Sequence, residues 1–160
     1  MRRLISSSLV LVALALPATT AAGSGNGKGG GNGVACVLHA KLNPREAGTT
    51  SSAKGHTLIK VRRNGTIEYK THILNKGGET FTAGHIHQAP PGQNGPLVFP
   101  LFRSFTAPTN ARQIRDRGVV PAATPADQQF ATALCQNPSA YYVNYHSTTS
   151  PGGAIRGQLH

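Results

Sequence analysis

Apolar and polar residues alternate in short blocks along this chain. Over residues 56–62, Thr57, Ile59 and Val61 fall on one face and His56, Lys60 and Arg62 on the other. The alternation resumes over residues 66–73, with Ile67, Tyr69 and Ile73 opposite Glu68, Lys70 and His72. A period of two marks a half-buried β-strand. Between the blocks stands Arg63-Asn64-Gly65, and Asn-Gly supplies the positive φ angles of a tight hairpin turn. Further strands are predicted over residues 81–87, 97–102, 141–146 and 154–159. Residues 90–96, Pro-Pro-Gly-Gln-Asn-Gly-Pro, and the run Ser150-Pro151-Gly152-Gly153 are turn-forming loops. Residues 106–120 show no clear period. Thr124 is placed as an N-cap, with Pro125 at the first helical position and Asp127 in the first turn. This predicts one short helix near residues 125–135 that buries Phe130 and Leu134 and stops at Asn137-Pro138. Short strands between Gly/Pro turns argue for an all-β fold, an antiparallel β-sandwich or barrel-like domain.

The chain begins with Arg2-Arg3, an apolar stretch over residues 9–16 and small residues up to Ala22. That is the pattern of a secretory signal peptide over residues 1–22. The apolar stretch falls short of the roughly 20 residues that span a bilayer. No second such stretch follows, so no transmembrane segment is expected in the mature chain. Residues 23–33 read as a flexible arm, seven of the eleven being Gly. The folded domain is placed at residues 34–160, outside the cytoplasm: secreted, periplasmic or at the cell surface. An exported chain whose only cysteines are Cys36 and Cys135 is expected to join them in a disulfide. Closing a loop of that length stabilises by roughly 4–5 kcal/mol in the chain-entropy model.

Composition narrows the function. With 160 residues there is room for one domain. Sixteen basic residues against five acidic ones give a formal net charge of +11, which signal-peptide removal lowers by two. Such a balance favours acidic cell-surface polymers or anionic headgroups as partners. Nucleic acid is not expected, since the chain is exported and carries no nucleic-acid-binding motif. Two cysteines cannot build a zinc finger or an iron–sulfur centre. No Gly-x-Ser-x-Gly is present, and five carboxylates leave few general bases for hydrolysis.

The main candidate for chemistry is Gly84-His85-Ile86-His87. Alternation along a strand puts His85 and His87 on one side, with Cα atoms about 6.6 Å apart. His146 shares a face with Tyr142 and Asn144 by the same parity. If the strands carrying them pair, His85, His87 and His146 converge into three imidazoles around one open position, a geometry of zinc and copper sites. The other reading is a set of hydrogen-bonded histidines that organise neighbouring turns. A nearby arginine would oppose a cation. His39, His56, His72 and His160 are taken as surface residues without a role.

Four blocks together carry a resemblance: Ala83-Gly84-His85-Ile86-His87, Gly92-Gln93-Asn94-Gly95-Pro96-Leu97-Val98, Tyr142-Val143-Asn144-Tyr145-His146-Ser147, and the segment from Pro151 through Ala154-Ile155-Arg156-Gly157-Gln158 to Leu159. In this order they resemble the CHRD domain, named after chordin and common in exported microbial proteins. The resemblance implies a β-sandwich or barrel-like domain and marks His85, His87, Asn144, His146, Arg156 and Gly157 as signature positions. Relatives often carry an acid where this chain has Ala154. The family name supplies no reaction. The preferred expectation is a secreted binding or interaction module for an extracellular protein or acidic cell-surface polymer. Its His cluster would lock loops and hold a transition metal: copper, manganese or zinc. The alternatives are a superoxide dismutase-like oxidoreductase, with Arg156 drawing the anion in, and a polyanion binder acting through the basic surface.

Overall fold

A computed structural model describes residues 32–102 and 108–160. The expected signal peptide and nearly all of the Gly-rich arm lie outside these residues. The described chain runs β1 (Val34–Leu42), α1 (Pro44–Ala47), β2 (Lys54–Arg62), β3 (Ile67–Leu74), β4 (Phe81–Gln88), β5 (Leu97–Pro100), β6 (Gln113–Val120), α2 (Pro125–Gln136), β7 (Tyr141–Ser147) and β8 (Ile155–Gln158). The strands form two antiparallel four-stranded sheets, ordered β1-β2-β3-β6 and β5-β4-β7-β8. The expected all-β sandwich with a short helix near residues 125–135 is the fold observed.

The β2–β3 hairpin forms where alternation and turn chemistry predict it, although of Asn64 and Gly65 only the glycine takes a positive φ. Gly65 takes φ 80°, its N–H donates to the Arg62 carbonyl at 2.9 Å, and Asn64 Oδ1 accepts from the Thr66 N–H at 3.1 Å. The pairing that follows sets Ile59 opposite Tyr69 and Val61 opposite Ile67, all buried. Ile86, Val143 and Ile155 cover them from the second sheet, each fully buried. Each such aliphatic side chain contributes about 1.5–3 kcal/mol through its removal from water.

A polar chain crosses this core. Asp116 is 1% exposed; its carboxylate accepts from the Tyr145 hydroxyl at 2.8 Å, the Tyr69 hydroxyl at 3.3 Å and the Phe102 N–H at 2.6 Å. With its proton given to Asp116, the Tyr145 oxygen accepts from Thr71 at 2.8 Å, and Thr71 lies 2.8 Å from Thr57. Burial, and then the charge of Asp116, push the Tyr145 hydroxyl well above its ordinary pKa. The satisfied network ties one sheet to the other where unpaired polar atoms would be costly.

Two strands were not anticipated. In β1, Leu38, Ala40 and Leu42 face the core while His39 and Lys41 face out. β1 bonds to β2 along its length, and also to the C-terminal segment through His39–His160 and Asn43–Arg156 backbone pairs, so it closes one edge between the sheets. β6 turns Ile114, Asp116 and Gly118 inward, and a carboxylate and a glycine at core positions erase the apolar alternation. The short α1, capped by Asn43 and ended by Gly48 at φ 69°, was also unanticipated. Helix α2 begins at the expected N-cap, Thr124, and Asp127 completes a reciprocal capping box with it. It buries Leu134 as expected, whereas Phe130 is half-buried and stacks on Phe99 with ring centroids 5.6 Å apart. The Cys36–Cys135 disulfide joins β1 to α2. Among the described residues no helix is long and apolar enough to cross a membrane.

Candidate functional site

β4 and β7 lie side by side, and their register decides what meets on the outer face of their sheet. His85 is opposite Asn144, His87 opposite Tyr142 and Ala83 opposite His146. β8 adds Arg156 opposite Asn144 and Gln158 opposite Tyr142. All these side chains project from the same face, because paired residues share a side and alternate residues repeat it. The inner face takes Gly84, Ile86, Val143, Tyr145, Ile155 and Gly157. A Cβ on Gly84 would stand 2.5 Å from the Tyr145 ring, and one on Gly157 would stand 2.2 Å from the Lys41 carbonyl oxygen. Those two positions are glycine because a ring and a neighbouring backbone already fill the space.

His85, His87 and His146 converge. Each is half-buried, and each offers a ring nitrogen such that all three lie within 4.8 Å of one another. His85 Nδ1 is 3.1 Å from His146 Nε2. Two of the rings are held from behind by backbone carbonyls. His87 Nδ1 donates to the Gly95 carbonyl at 3.0 Å, and His146 Nδ1 donates to the Pro151 carbonyl at 2.8 Å. A neutral imidazole with its proton on Nδ1 presents a lone pair on Nε2. Both Nε2 atoms are therefore acceptors, and that of His87 is buried with no hydrogen-bond partner among the described residues. Burial first, then the nearby His146 and His87 rings, hold the His85 pKa down to about 4. Burial also lowers that of His146, partly offset by the Pro151 carbonyl. At neutral pH these two rings are uncharged, the form in which histidine binds a metal.

The loops that supply the carbonyls are held by the other signature residues. Arg156 Nη1 donates to Asn94 Oδ1 at 2.8 Å and to the Gln93 carbonyl at 3.3 Å, and the Tyr142 hydroxyl accepts from the Gly95 N–H at 3.2 Å. Gly95 must be glycine, since a Cβ there would lie 1.8 Å from the Gln88 carbonyl oxygen. Asn144 Nδ2 donates to the Gly152 carbonyl at 3.1 Å, and Gly153, at φ 128°, packs where a Cβ would meet the Asn144 amide. Arg156 faces the Tyr142 ring at 4.8 Å, and Tyr142 in turn stacks with His87 at 5.1 Å. The guanidinium is thus bound into the 90–96 loop, with a tyrosine on the strand between it and His87.

The structure brings together all six signature positions, with Gly157 on the inner side of the same strand as Arg156. Tyr142, Gln93, Asn94, Gly95 and Pro151 complete the arrangement but were not assigned roles from sequence. Gly95 and Pro151 act through backbone carbonyls, which carry no side-chain signal. Ala154 is fully buried, and its carbonyl accepts the Thr49 hydroxyl at 2.7 Å.

The family model for the CHRD domain matches residues 38–159 of this chain. No curated protein and no solved structure matches it.

Proposed function

The chain belongs to the CHRD domain family, and from that premise we propose that it is an extracellular binding module whose His85, His87 and His146 hold one transition-metal ion. The Cys36–Cys135 bridge fits an oxidising compartment. The observation that carries the metal reading is the buried, partnerless Nε2 of His87, whose ring is fixed by the Gly95 carbonyl and set beside two neutral imidazoles. Buried polar atoms are nearly always paired; among the described residues His72 Nε2 and Asn144 Oδ1 share this state with it. Carbonyl partners on the far nitrogen are also how metal-binding histidines are oriented.

An all-imidazole donor set suits copper or zinc better than manganese, which prefers oxygen ligands. Bonds of about 2 Å place ligand nitrogens roughly 3.3–4 Å apart, so modest ring rotations suffice. Arg156, occupied with Asn94 and Gln93, supports loop positioning rather than anion capture.

A second reading rests on the 3.1 Å His85–His146 contact. It makes the cluster a hydrogen-bonded hub that fixes the 90–96 and 150–153 loops with no metal. Titration of the untagged protein with Zn²⁺ and Cu²⁺ separates the two. The metal reading expects micromolar binding of one equivalent and a loss of at least tenfold in His87→Ala, with the fold kept by far-UV circular dichroism. No binding at micromolar concentration, or equal binding by His87→Ala, leaves the hub.

A further inference from the structure

The other outer face of the sandwich carries its own pattern. Register across β1, β2, β3 and β6 aligns Lys41, His56, His72 and Arg115 in one transverse row. The next row is His39, Leu58, Lys70 and Arg117. Seven of these eight residues are Lys, Arg or His, and none is acidic. Neighbouring strands are about 4.8 Å apart, and successive outward residues on one strand about 6.8 Å apart. Four formal cations, Lys41, Lys70, Arg115 and Arg117, therefore share with three histidines a patch about 14 Å across. Asp116 lies between Arg115 and Arg117 in sequence but points into the core. Glu68, one row further along, accepts from Arg62 Nε at 2.7 Å.

The patch is hollowed rather than flat. An open hollow of about 810 Å³ is lined by His56, Leu58, Lys70, His72, Arg115 and Arg117 and reaches down to the buried Asp116. A second hollow of about 360 Å³ shares Leu58, Lys70 and Arg117 and is lined further by Lys60, Val119 and Glu68, whose charge is taken up by Arg62. His56 and His72 meet edge to face with centroids 5.7 Å apart, and His72 Nε2 is buried without a hydrogen-bond partner among the described residues.

We propose that these hollows bind a linear acidic polysaccharide, with carboxylates along its length meeting the rows of Lys, Arg and His. Two adjoining hollows with cations at several points fit an extended chain of repeated anions better than one small anion. Their concavity suits a chain rather than a planar bilayer. Neither row carries a Phe, Tyr or Trp on which nucleobases could stack, as single-stranded nucleic acids require. Leu58 and the 63%-exposed Val119 give apolar floor for the C–H faces of sugar rings. The surface is on the sheet opposite the histidine cluster and does not depend on it.

The test is binding of polygalacturonate to the full chain in EDTA, so that no metal contributes. Binding should weaken steeply with salt, as cations bound along a polyanion predict. The Lys70→Glu/Arg115→Glu variant should bind at least tenfold more weakly. A charge-matched control, Arg45→Glu/Lys76→Glu, reverses two exposed cations off this face and should bind within about twofold of the unaltered chain. Equal losses in both variants would reduce the effect to net charge and overturn the proposal. So would unaltered binding by Lys70→Glu/Arg115→Glu, or tighter binding to oligo-dT or phosphatidylglycerol vesicles than to polygalacturonate.

Discussion

His85 Nδ1 lies 3.1 Å from His146 Nε2, although the two residues are 61 positions apart and not directly opposite in register. The direction of this hydrogen bond follows from its surroundings. His146 gives its Nδ1 proton to the Pro151 carbonyl, so its Nε2 carries the lone pair and His85 supplies the proton. The chain without metal thus closes its cluster with a bond that an incoming ion must displace.

This bond makes the first prediction. In the metal-free protein the His85 Nδ1 proton, held in this bond, should exchange slowly enough to give a resolved downfield imidazole resonance. One equivalent of Zn²⁺ should abolish it, because the His146 lone pair is then spent on the ion. Persistence of that resonance at saturating Zn²⁺ would sink the metal reading.

Much of this site was legible because the period of two does the work. His85 and His87 share a face in any strand, and Tyr142, Asn144 and His146 share one likewise, so only the pairing of β4 with β7 remained to be learned. What sequence hid were groups without a side-chain signal. The Gly95 and Pro151 carbonyls depend on two loop conformations, and no residue type announces them. The missed strand β6 has a different cause. Asp116 takes a core position because three donors await it there, two of them tyrosines far away in sequence, and a pattern search sees only a charge where an aliphatic residue should be. The cationic grid had the same obstacle: His39, His56 and His72 look like scattered surface residues until three strand pairings set them beside Lys and Arg.

Gly157 should tolerate no side chain. Its Cα faces the backbone of Lys41 where β1 crosses to close the sandwich, and an added Cβ would stand 2.2 Å from a carbonyl oxygen. A backbone atom within a paired strand cannot swing aside as a side chain can. Gly157→Ala is expected to destabilise by about 2–3 kcal/mol or more through overpacking, read as a lower urea midpoint. Gly152→Ala, where nothing lies within 4 Å of the added carbon, should be near neutral by the same measure.

The Cys36–Cys135 bridge spans 99 positions and ties α2 to the edge strand β1. Most of the domain lies inside the loop it closes, so its loss frees the unfolded chain more than it changes the folded one. Cys36→Ser/Cys135→Ser should lose about 4–5 kcal/mol in urea unfolding. The folded fraction that remains should keep the same zinc stoichiometry, since the histidines stand on β4 and β7 while the bridge joins β1 to α2.

The acid limb of the stability curve should depend on Asp127. The Thr124 hydroxyl, then the Thr124 N–H, and further the Ala123 N–H, hold its carboxyl below the ordinary 3.8. The folded state thus binds this proton less readily than the unfolded chain does. The resulting stabilisation is complete above the unfolded value and is lost as pH falls through the folded one. Asp127→Asn should lower Tm at neutral pH yet flatten its dependence below about pH 4, so that the two curves converge in acid. Thr124→Ala should cost about 1 kcal/mol at neutral pH by removing the other half of the capping box. Parallel Tm curves for Asp127→Asn and the unaltered chain down to about pH 2.5 would mean that the cap contributes nothing through its charge.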